Sequence, residues 1–248
     1  MVIVVLPAFN EADGIGELIE HIGSSLSGTQ YHIVVVDDGS ADETGSIATA
    51  MSPKHPVTLL THQINRGAGQ AIGTGIQYAC EQFAPNDLVV TMDADNTQNP
   101  DLILEMMEAS SSGADIVIAS RFVAGGGQSG VPWHRSLLSH GARVFFRFLF
   151  PMDIKDYTSF YRLYRVKLLQ DASRFYSPLL EARGFAAILE LLIKLRPFEP
   201  TIAQVPLHLR YDLKAGDSKM KIFSTLVEYG LLLTRLKILD LRTPSMKS

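Results

Sequence analysis

Leu88-Val89-Val90-Thr91-Met92-Asp93-Ala94-Asp95 carries five apolar or β-branched residues straight into two carboxylates separated by one alanine. A short valine-rich run that stops at acidic turn formers predicts a buried strand with the carboxylates at its end. The same unit recurs through the first half of the chain. Residues 2–6, 33–36, 57–60 and 116–119 are equally short and β-branched, and the stretches between them space their apolar residues as amphipathic helices do. Alternation of strand and helix predicts an α/β fold with a mostly parallel, doubly wound central sheet flanked by helices. In such sheets ligands gather beyond the carboxyl ends of the strands, where the strand order reverses. Pro7-Ala8-Phe9-Asn10-Glu11, Asp37-Asp38-Gly39-Ser40 and Asp93-Ala94-Asp95 stand at three of those ends.

After residue 120 the alternation stops. Gly125-Gly126-Gly127-Gln128-Ser129-Gly130 has the composition of a mobile loop and is expected to act as a lid. Beyond it the sequence predicts a helix around 136–150, a turn and strand over 157–164, and helices near 186–195 and 222–239. The last of these repeats apolar residues at Ile222, Leu226, Tyr229, Leu233 and Leu236, flanked by Lys219, Lys221, Arg235, Lys237 and Arg242. A basic amphipathic helix of this kind fits a membrane surface, and its periodicity fits a protein core equally well. The expected organisation is one unit over 1–215 and a basic, helical C-terminal extension over 216–248.

A chain of 248 residues can bury one sizeable core. Its single cysteine, Cys80, rules out an intrachain disulfide and a cysteine metal cluster, so a reducing, cytoplasmic setting is expected. Met1-Val2-Ile3-Val4-Val5-Leu6-Pro7 has no basic n-region and no small-residue cleavage site, and reads as a strand rather than a signal peptide. No run of about 18 uncharged apolar residues occurs, so the chain is not expected to cross a membrane. Charge divides unevenly. Residues 1–130 hold 3 basic and 16 acidic side chains, residues 131–248 hold 19 and 10, and the total is −4. An acidic half suited to metal is thus joined to a basic half suited to an anionic partner.

Asp93 and Asp95, fixed at a strand end, come close enough to share one divalent ion. Mg²⁺ and Mn²⁺ prefer such oxygens, keep several waters and bridge to substrate phosphates. Asp37-Asp38 precede a tight turn that aims a carboxylate above the sheet, toward a base or ribose, while Ser40 or Asp42 caps a helix over 44–51. Asn65-Arg66-Gly67-Ala68-Gly69-Gln70-Ala71 opens a helix with two glycines and a cation, so backbone N–H groups can meet negative charge there. Close packing of the helix would use the same glycines. The segment lacks the Gly-Lys-Ser/Thr ending of a P-loop, and Ile72 stands where a dinucleotide fingerprint has its third glycine.

In order and spacing these pieces resemble the family 2 glycosyltransferases of the GT-A fold, and within them the dolichyl-phosphate mannose synthase group. The resemblance rests on Pro7-Ala8-Phe9-Asn10-Glu11, Val36-Asp37-Asp38-Gly39-Ser40, Asn65-Arg66-Gly67 with Gly69, and Asp93-Ala94-Asp95 with Pro100. It continues through Ala119-Ser120-Arg121-Phe122, Asp156-Tyr157-Thr158-Ser159-Phe160-Tyr161-Arg162 and Gly216-Asp217-Ser218-Lys219-Met220. It implies an inverting enzyme that moves a sugar, mannose or glucose, from a nucleoside-diphosphate sugar to a polyprenyl or dolichyl phosphate with Mg²⁺ or Mn²⁺. It also implies that Pro7, Ala8, Phe9 and Glu11 line the base and ribose pocket, that Asp38 reads the base, and that Arg66 lies at the nucleotide. Asp93-Ala94-Asp95 would meet the diphosphate, with Asp93 and Asp95 on the metal. Arg121, Arg135 and Ser139 correspond to acceptor-phosphate positions, and Lys219 reaches phosphate when its loop closes. With Asp95 and Arg162 these form the expected catalytic set. Two positions depart from the family pattern. Gln98 comes one place later than the metal-binding glutamine of many relatives, and Phe160 stands where glycine is frequent.

A phosphate monoester acceptor is already anionic and needs no general base, so the work reduces to positioning, shielding and stabilising the departing diphosphate. Arg121, Arg135, Arg143, Arg147, Arg162 and Arg165 supply guanidinium groups for that task. One direct displacement inverts the anomeric centre. The nearest alternative is a family 2 enzyme acting on a glycan or polysaccharide hydroxyl with an aspartate as base, and the basic second half counts against it. Intact Asp93 and Asp95 count against a non-catalytic binder. Phe9-Asn10-Glu11 occupies the place where a nucleotidyltransferase brings a glycine-rich loop. No zinc spacing or RNA-binding aromatic signature supports nucleic-acid binding. The acceptor's lipid tail predicts peripheral attachment at the cytoplasmic face of a membrane, through the chain itself or with a separate membrane subunit.

Overall fold

A computed structural model of the protein describes residues 1–131, 141, 144–150, 152–184, 186–213, 230, 232 and 234. Among them a seven-stranded sheet is built from β1 (Val2–Ala8), β2 (Tyr31–Asp37), β3 (Val57–Thr61), β4 (Leu88–Thr91), β5 (Ile116–Ser120), β7 (Arg162–Arg165) and β8 (Ile202–Pro206). The order across the sheet is β3-β2-β1-β4-β7-β5-β8. Strands β1 to β4 pair in parallel, as do β5 and β8, and β7 alone runs antiparallel, between β4 and β5. The expected mostly parallel sheet is therefore present, with one reversed strand inserted into it.

Each strand feeds two cores because successive side chains leave opposite faces. Ile3 and Val5 of β1 join a cluster with Val34, Val36, Val89 and Ile118, covered by α3 (Ala68–Gln82), α5 (Val166–Phe175) and α6 (Ala186–Leu195). Val2, Val4 and Leu6 join the opposite cluster with Ile33, Val35 and Val90, covered by α1 (Ile15–Ser25), α2 (Thr44–Ala50) and α4 (Leu102–Ser111). Burial on both faces is why these strands read as continuous apolar runs rather than as alternation. Cys80 lies on the inner side of α3, and burial pushes its thiol up to about 11, which leaves it protonated and inert.

The glycine-rich segment departs from the lid expectation. Gly127–Ser129 is a strand, β6, paired in parallel with β9 (His208–Arg210). The Gly127 N–H donates to the Leu207 carbonyl (2.9 Å), and Ser129 Oγ meets His208 Nε2 at 2.7 Å. Gly126 is packed onto backbone, since a Cβ there would stand 2.5 Å from the Ser120 carbonyl oxygen. Composition alone gave no hint of the ladder, because its partner lies some eighty residues further on. Residues 144–149 are helical, with Phe146 buried while Val144, Phe145, Phe148 and Leu149 face outward. Of the predicted helix over 222–239, only Gly230, Leu232 and Thr234 belong to the described residues, and Leu232 is buried in the α3 side of the core.

Candidate active site

Strand order reverses between β1 and β4, and the loops leaving these two strands form the walls of a crevice at the carboxyl edge of the sheet. On the β1 side, residues 9–12 are stitched to the loop after β2. The Asn10 N–H donates to Ser40 Oγ (2.9 Å), Asn10 Oδ1 accepts from the Ala41 N–H (2.8 Å), and the Glu11 N–H donates to Thr44 Oγ1 (2.8 Å). Asp42 accepts from the N–H groups of Thr44 (3.0 Å) and Ala12 (3.1 Å), and the N-cap of α2 is Glu43 rather than either of the two predicted residues. Asp37 closes the turn by accepting the Ser40 N–H (2.9 Å). Pro7 and Phe9 remain partly exposed at the rim, as does Glu11, and Ala8 is buried beneath them.

Asp38, the expected base reader, is engaged with the loop ahead of α3. Its side chain is almost entirely buried, and its oxygens accept from the Arg66 N–H (2.9 Å), the Gly67 N–H (2.7 Å) and His62 Nδ1 (2.6 Å). His62 Nε2 in turn meets Thr74 Oγ1 at 3.0 Å. The N–H groups ahead of α3 do meet negative charge, as the sequence suggested, but the charge is that of Asp38. The carboxylate thus braces the loop that carries Arg66, whose side chain is exposed at the mouth.

The two glycines of that loop serve close packing. Gly67 has φ near +96°, and a Cβ on Gly69 would stand 2.6 Å from both the Ala182 carbonyl oxygen and the Ala187 Cβ. The Gly69 N–H donates to the Arg183 carbonyl (2.8 Å). The segment supplying these carbonyls is built on a buried ion pair one helical turn apart in α6. Lys194 Nζ lies 2.6 Å from Glu190 Oε1, Glu190 accepts from the Ala182 N–H (2.8 Å), and Lys194 donates to the Leu179 carbonyl (3.0 Å).

On the β4 side Asp93 and Asp95 are half-buried on the loop after the strand, with Ala94 buried between them. Asp95 Oδ1 accepts from the Thr97 hydroxyl (2.6 Å), and Asp93 Oδ2 accepts from Gln98 Nε2 (2.6 Å). The loop is tied down on three sides. Asn96 Nδ2 donates to the Gly14 carbonyl across the crevice (3.2 Å), the Arg210 N–H of β9 donates to the Thr97 carbonyl (2.9 Å), and Tyr161 donates to the Asn99 carbonyl (3.0 Å). Asn96 takes a positive φ of 59° to make the turn. Among the described residues no group of three or more His, Cys, Asp or Glu converges, and at this loop Asp93 and Asp95 supply carboxylate oxygens. That donor set fits Mg²⁺ or Mn²⁺.

Two of the described arginines are engaged inside the protein. Arg121, just past β5, forms a fork with the fully buried Asp156, Nε to Oδ2 at 2.8 Å and one terminal nitrogen to Oδ1 at 2.9 Å, and also donates to Thr158 Oγ1 (2.8 Å). Burial by itself pushes the Asp156 carboxyl up, but the Arg121 guanidinium and the N–H groups of Arg121 and Thr158 outweigh it and hold the group below its usual value. Arg162, expected among the phosphate-binding arginines, is fully buried in β7. Its guanidinium donates to the carbonyls of Tyr157 (2.8 Å) and Ile188 (3.3 Å), and its Nε is buried with no hydrogen-bond partner among the described residues. Arg135, Ser139 and Lys219 lie outside the described residues. Asp156, His62 and the Glu190–Lys194 pair were not assigned roles by sequence reasoning. Asp156 opened one of the stretches that carry the family resemblance, and the last pair had a signal of its own, two opposite charges at helical spacing within an otherwise apolar helix.

Residues 3–172 match the family model described as glycosyl transferase family 2. The chain is 34% identical over 229 residues to the dolichol-phosphate mannosyltransferase of Pyrococcus furiosus, covering 91% of this chain and 60% of that protein. It is 29% identical over 220 residues to the polyprenol monophosphomannose synthase of Mycolicibacterium smegmatis, covering 88% of this chain and 80% of that one. Among solved structures, glucosyl-3-phosphoglycerate synthase from Mycobacterium tuberculosis in complex with Mn²⁺ and UDP-glucose superposes with a TM-score of 0.67 at 20% identity, covering 96% of this chain and 78% of that chain. With the family model spanning most of its length and the GT-A architecture in its sheet, the chain belongs to glycosyl transferase family 2.

Proposed function

We propose that the protein transfers a sugar, mannose or glucose, from a nucleoside-diphosphate sugar to a polyprenyl phosphate, with inversion, at a membrane surface. The observation that carries this reading is the crevice between β1 and β4, with the Pro7–Glu11 loop on one wall and Asp93 and Asp95 on the other. Its support is the 34% identical mannosyltransferase. Pro7, Ala8, Phe9 and Glu11 hold the base and ribose, and Arg66, on the loop braced by Asp38, lies beside the nucleotide. Asp93 and Asp95 hold Mg²⁺ or Mn²⁺, which when bound offsets the charge that builds on the leaving diphosphate. Arg135, Ser139 and Lys219 take the acceptor phosphate. Arg121, already forked to Asp156, gives that region a fixed wall more than an unspent charge. The acceptor oxygen is anionic, so no side chain needs to remove a proton, and alignment of the two reactants is the main contribution of the protein.

Residues 1–215 perform the transfer in this reading, and 216–248 form a basic extension. No helix among the described residues is long and apolar enough to cross a membrane. Attachment at the cytoplasmic face is instead peripheral, alone or beside a separate membrane subunit. The helix at 144–149 supports this, because Phe148 is 85% and Val144 67% exposed, next to Arg147. A patch of aromatic and aliphatic side chains with a cation suits the lipid interface. The test is incubation with GDP-mannose and, separately, UDP-glucose, with Mn²⁺ or Mg²⁺ and vesicles containing polyprenyl phosphate. Nucleoside diphosphate release coupled to a lipid-linked sugar is expected. Release that responds only to glycan acceptors would instead assign the chain to hydroxyl glycosylation.

A further inference from the structure

The Asp-Ala-Asp loop carries a glutamine that the reaction scheme above leaves unused. Gln98 is only 4% exposed, and both polar atoms of its carboxamide bond to one residue. Its Oε1 accepts from the Asp93 backbone N–H (3.0 Å) and its Nε2 donates to Asp93 Oδ2 (2.6 Å). The orientation of the amide is fixed by chemistry, because only the oxygen can accept from an N–H and only the nitrogen can donate to a carboxylate. Gln98 therefore grips Asp93 at its main chain and at its side chain together, and a carboxylate held at both points cannot rotate freely about its side-chain bonds. The residues around the grip are themselves fixed. Thr97 is held by Asp95 (2.6 Å) and by the Arg210 N–H (2.9 Å), and the Asn99 carbonyl by Tyr161 (3.0 Å).

We propose that Gln98 is the positioning residue of the cation site, setting the angle at which Asp93 meets the ion while its own oxygen is engaged by the Asp93 backbone. The inference rests on the proposed function, which puts a divalent cation on Asp93 and Asp95. It differs from a ligand role in a way that substitution can expose. Gln98→Glu keeps the size of the side chain and an oxygen for the Asp93 N–H, but it has no N–H to give Asp93 Oδ2 and sets like charge against it. A ligand changed from amide to carboxylate would bind a hard cation as well as before or better. A positioning residue changed in the same way loses affinity, by about 10- to 100-fold for groups that orient metal ligands. Gln98→Met removes both contacts at similar volume and should lose affinity over the same range.

The experiment is titration of the full chain with Mn²⁺, followed by the electron paramagnetic resonance signal of free ion, with GDP present and then with UDP. Thermal melting and metal-free nucleotide binding are measured alongside. Weaker Mn²⁺ binding in both variants, with metal-free nucleotide affinity unchanged, is the expected result. Equal or tighter Mn²⁺ binding in Gln98→Glu makes Gln98 a ligand and overturns the inference. A lower melting temperature with unchanged Mn²⁺ affinity in both variants makes it a structural residue only and also overturns it, leaving the proposed function intact. Absence of Mn²⁺ binding by the unsubstituted protein with either nucleotide overturns both.

Discussion

Replacing Asp38 by asparagine separates a carboxylate that braces a loop from one that reads a base. In the folded protein its oxygens accept two backbone N–H groups, from Arg66 and Gly67, and pair with His62, all within 2.9 Å. Asparagine has one carbonyl oxygen, and its amide nitrogen would face an N–H donor. One buried backbone donor is then left without an acceptor, at a cost of about 1–3 kcal/mol. The bonds that persist lose their charge assistance, worth about 1 kcal/mol more. A total near 3 kcal/mol lowers the melting temperature of a chain this size by about 6–12 °C. Because Arg66 rides on the same loop, nucleotide affinity should weaken as well. Differential scanning calorimetry of the variant, with isothermal titration of GDP and UDP, makes the measurement. A variant that melts within about 1 °C of the parent yet no longer binds nucleotide would put the Asp38 carboxylate on the base and refute the bracing role.

Asp156→Asn strips the carboxylate from Arg121, and breaking a buried pair of this kind costs about 3–5 kcal/mol in urea unfolding at neutral pH. Since the Asp156 carboxyl is held below its unfolded value, its contribution is complete above about pH 4 and disappears as pH falls through the folded value. The gap between parent and variant should therefore narrow only on the acid side, and a gap that narrows toward alkaline pH would contradict the assignment. Gly69→Ala puts a methyl group 2.6 Å from the Ala182 carbonyl oxygen and should cost about 1–3 kcal/mol, whereas Gly73→Ala, with its nearest neighbour at 3.4 Å, should cost little by the same unfolding measurement. Phe148→Glu should reduce sedimentation with anionic vesicles at unchanged melting temperature. Undiminished sedimentation would move membrane attachment to another part of the chain.

The sheet was legible because its strands are buried on both faces, which writes them as short valine-rich runs, and because carboxylates follow two of those runs directly. The reversed strand β7 was not legible in direction. Tyr161, Arg162, Leu163 and Tyr164 are all buried, and nothing in four consecutive residues tells a parallel insertion from an antiparallel one. Site residues were visible where chemistry is local, as at Asp93 and Asp95. Where a side chain finds its partner far along the chain, the sequence did not reveal that partner. Asp38 meets N–H groups 28 and 29 residues away, Arg121 meets a carboxylate 35 away, and Arg162 meets a carbonyl 26 away. The Gly125–Gly130 segment failed for the same reason, since its strand partner is β9.

Formation of a polyprenyl-phosphate-linked sugar, measured by mass spectrometry for the parent and for Asp95→Ala in the presence of Mn²⁺, puts the proposed reaction to trial. Asp95 accepts from the Thr97 hydroxyl within its own loop, and losing that bond should cost the fold about 1 kcal/mol. The account predicts lipid-linked sugar of inverted anomeric configuration from the parent and background levels from a variant that still melts as a folded protein. Product formed at the parental rate by Asp95→Ala, or no lipid-linked sugar from the parent with either donor, would contradict it.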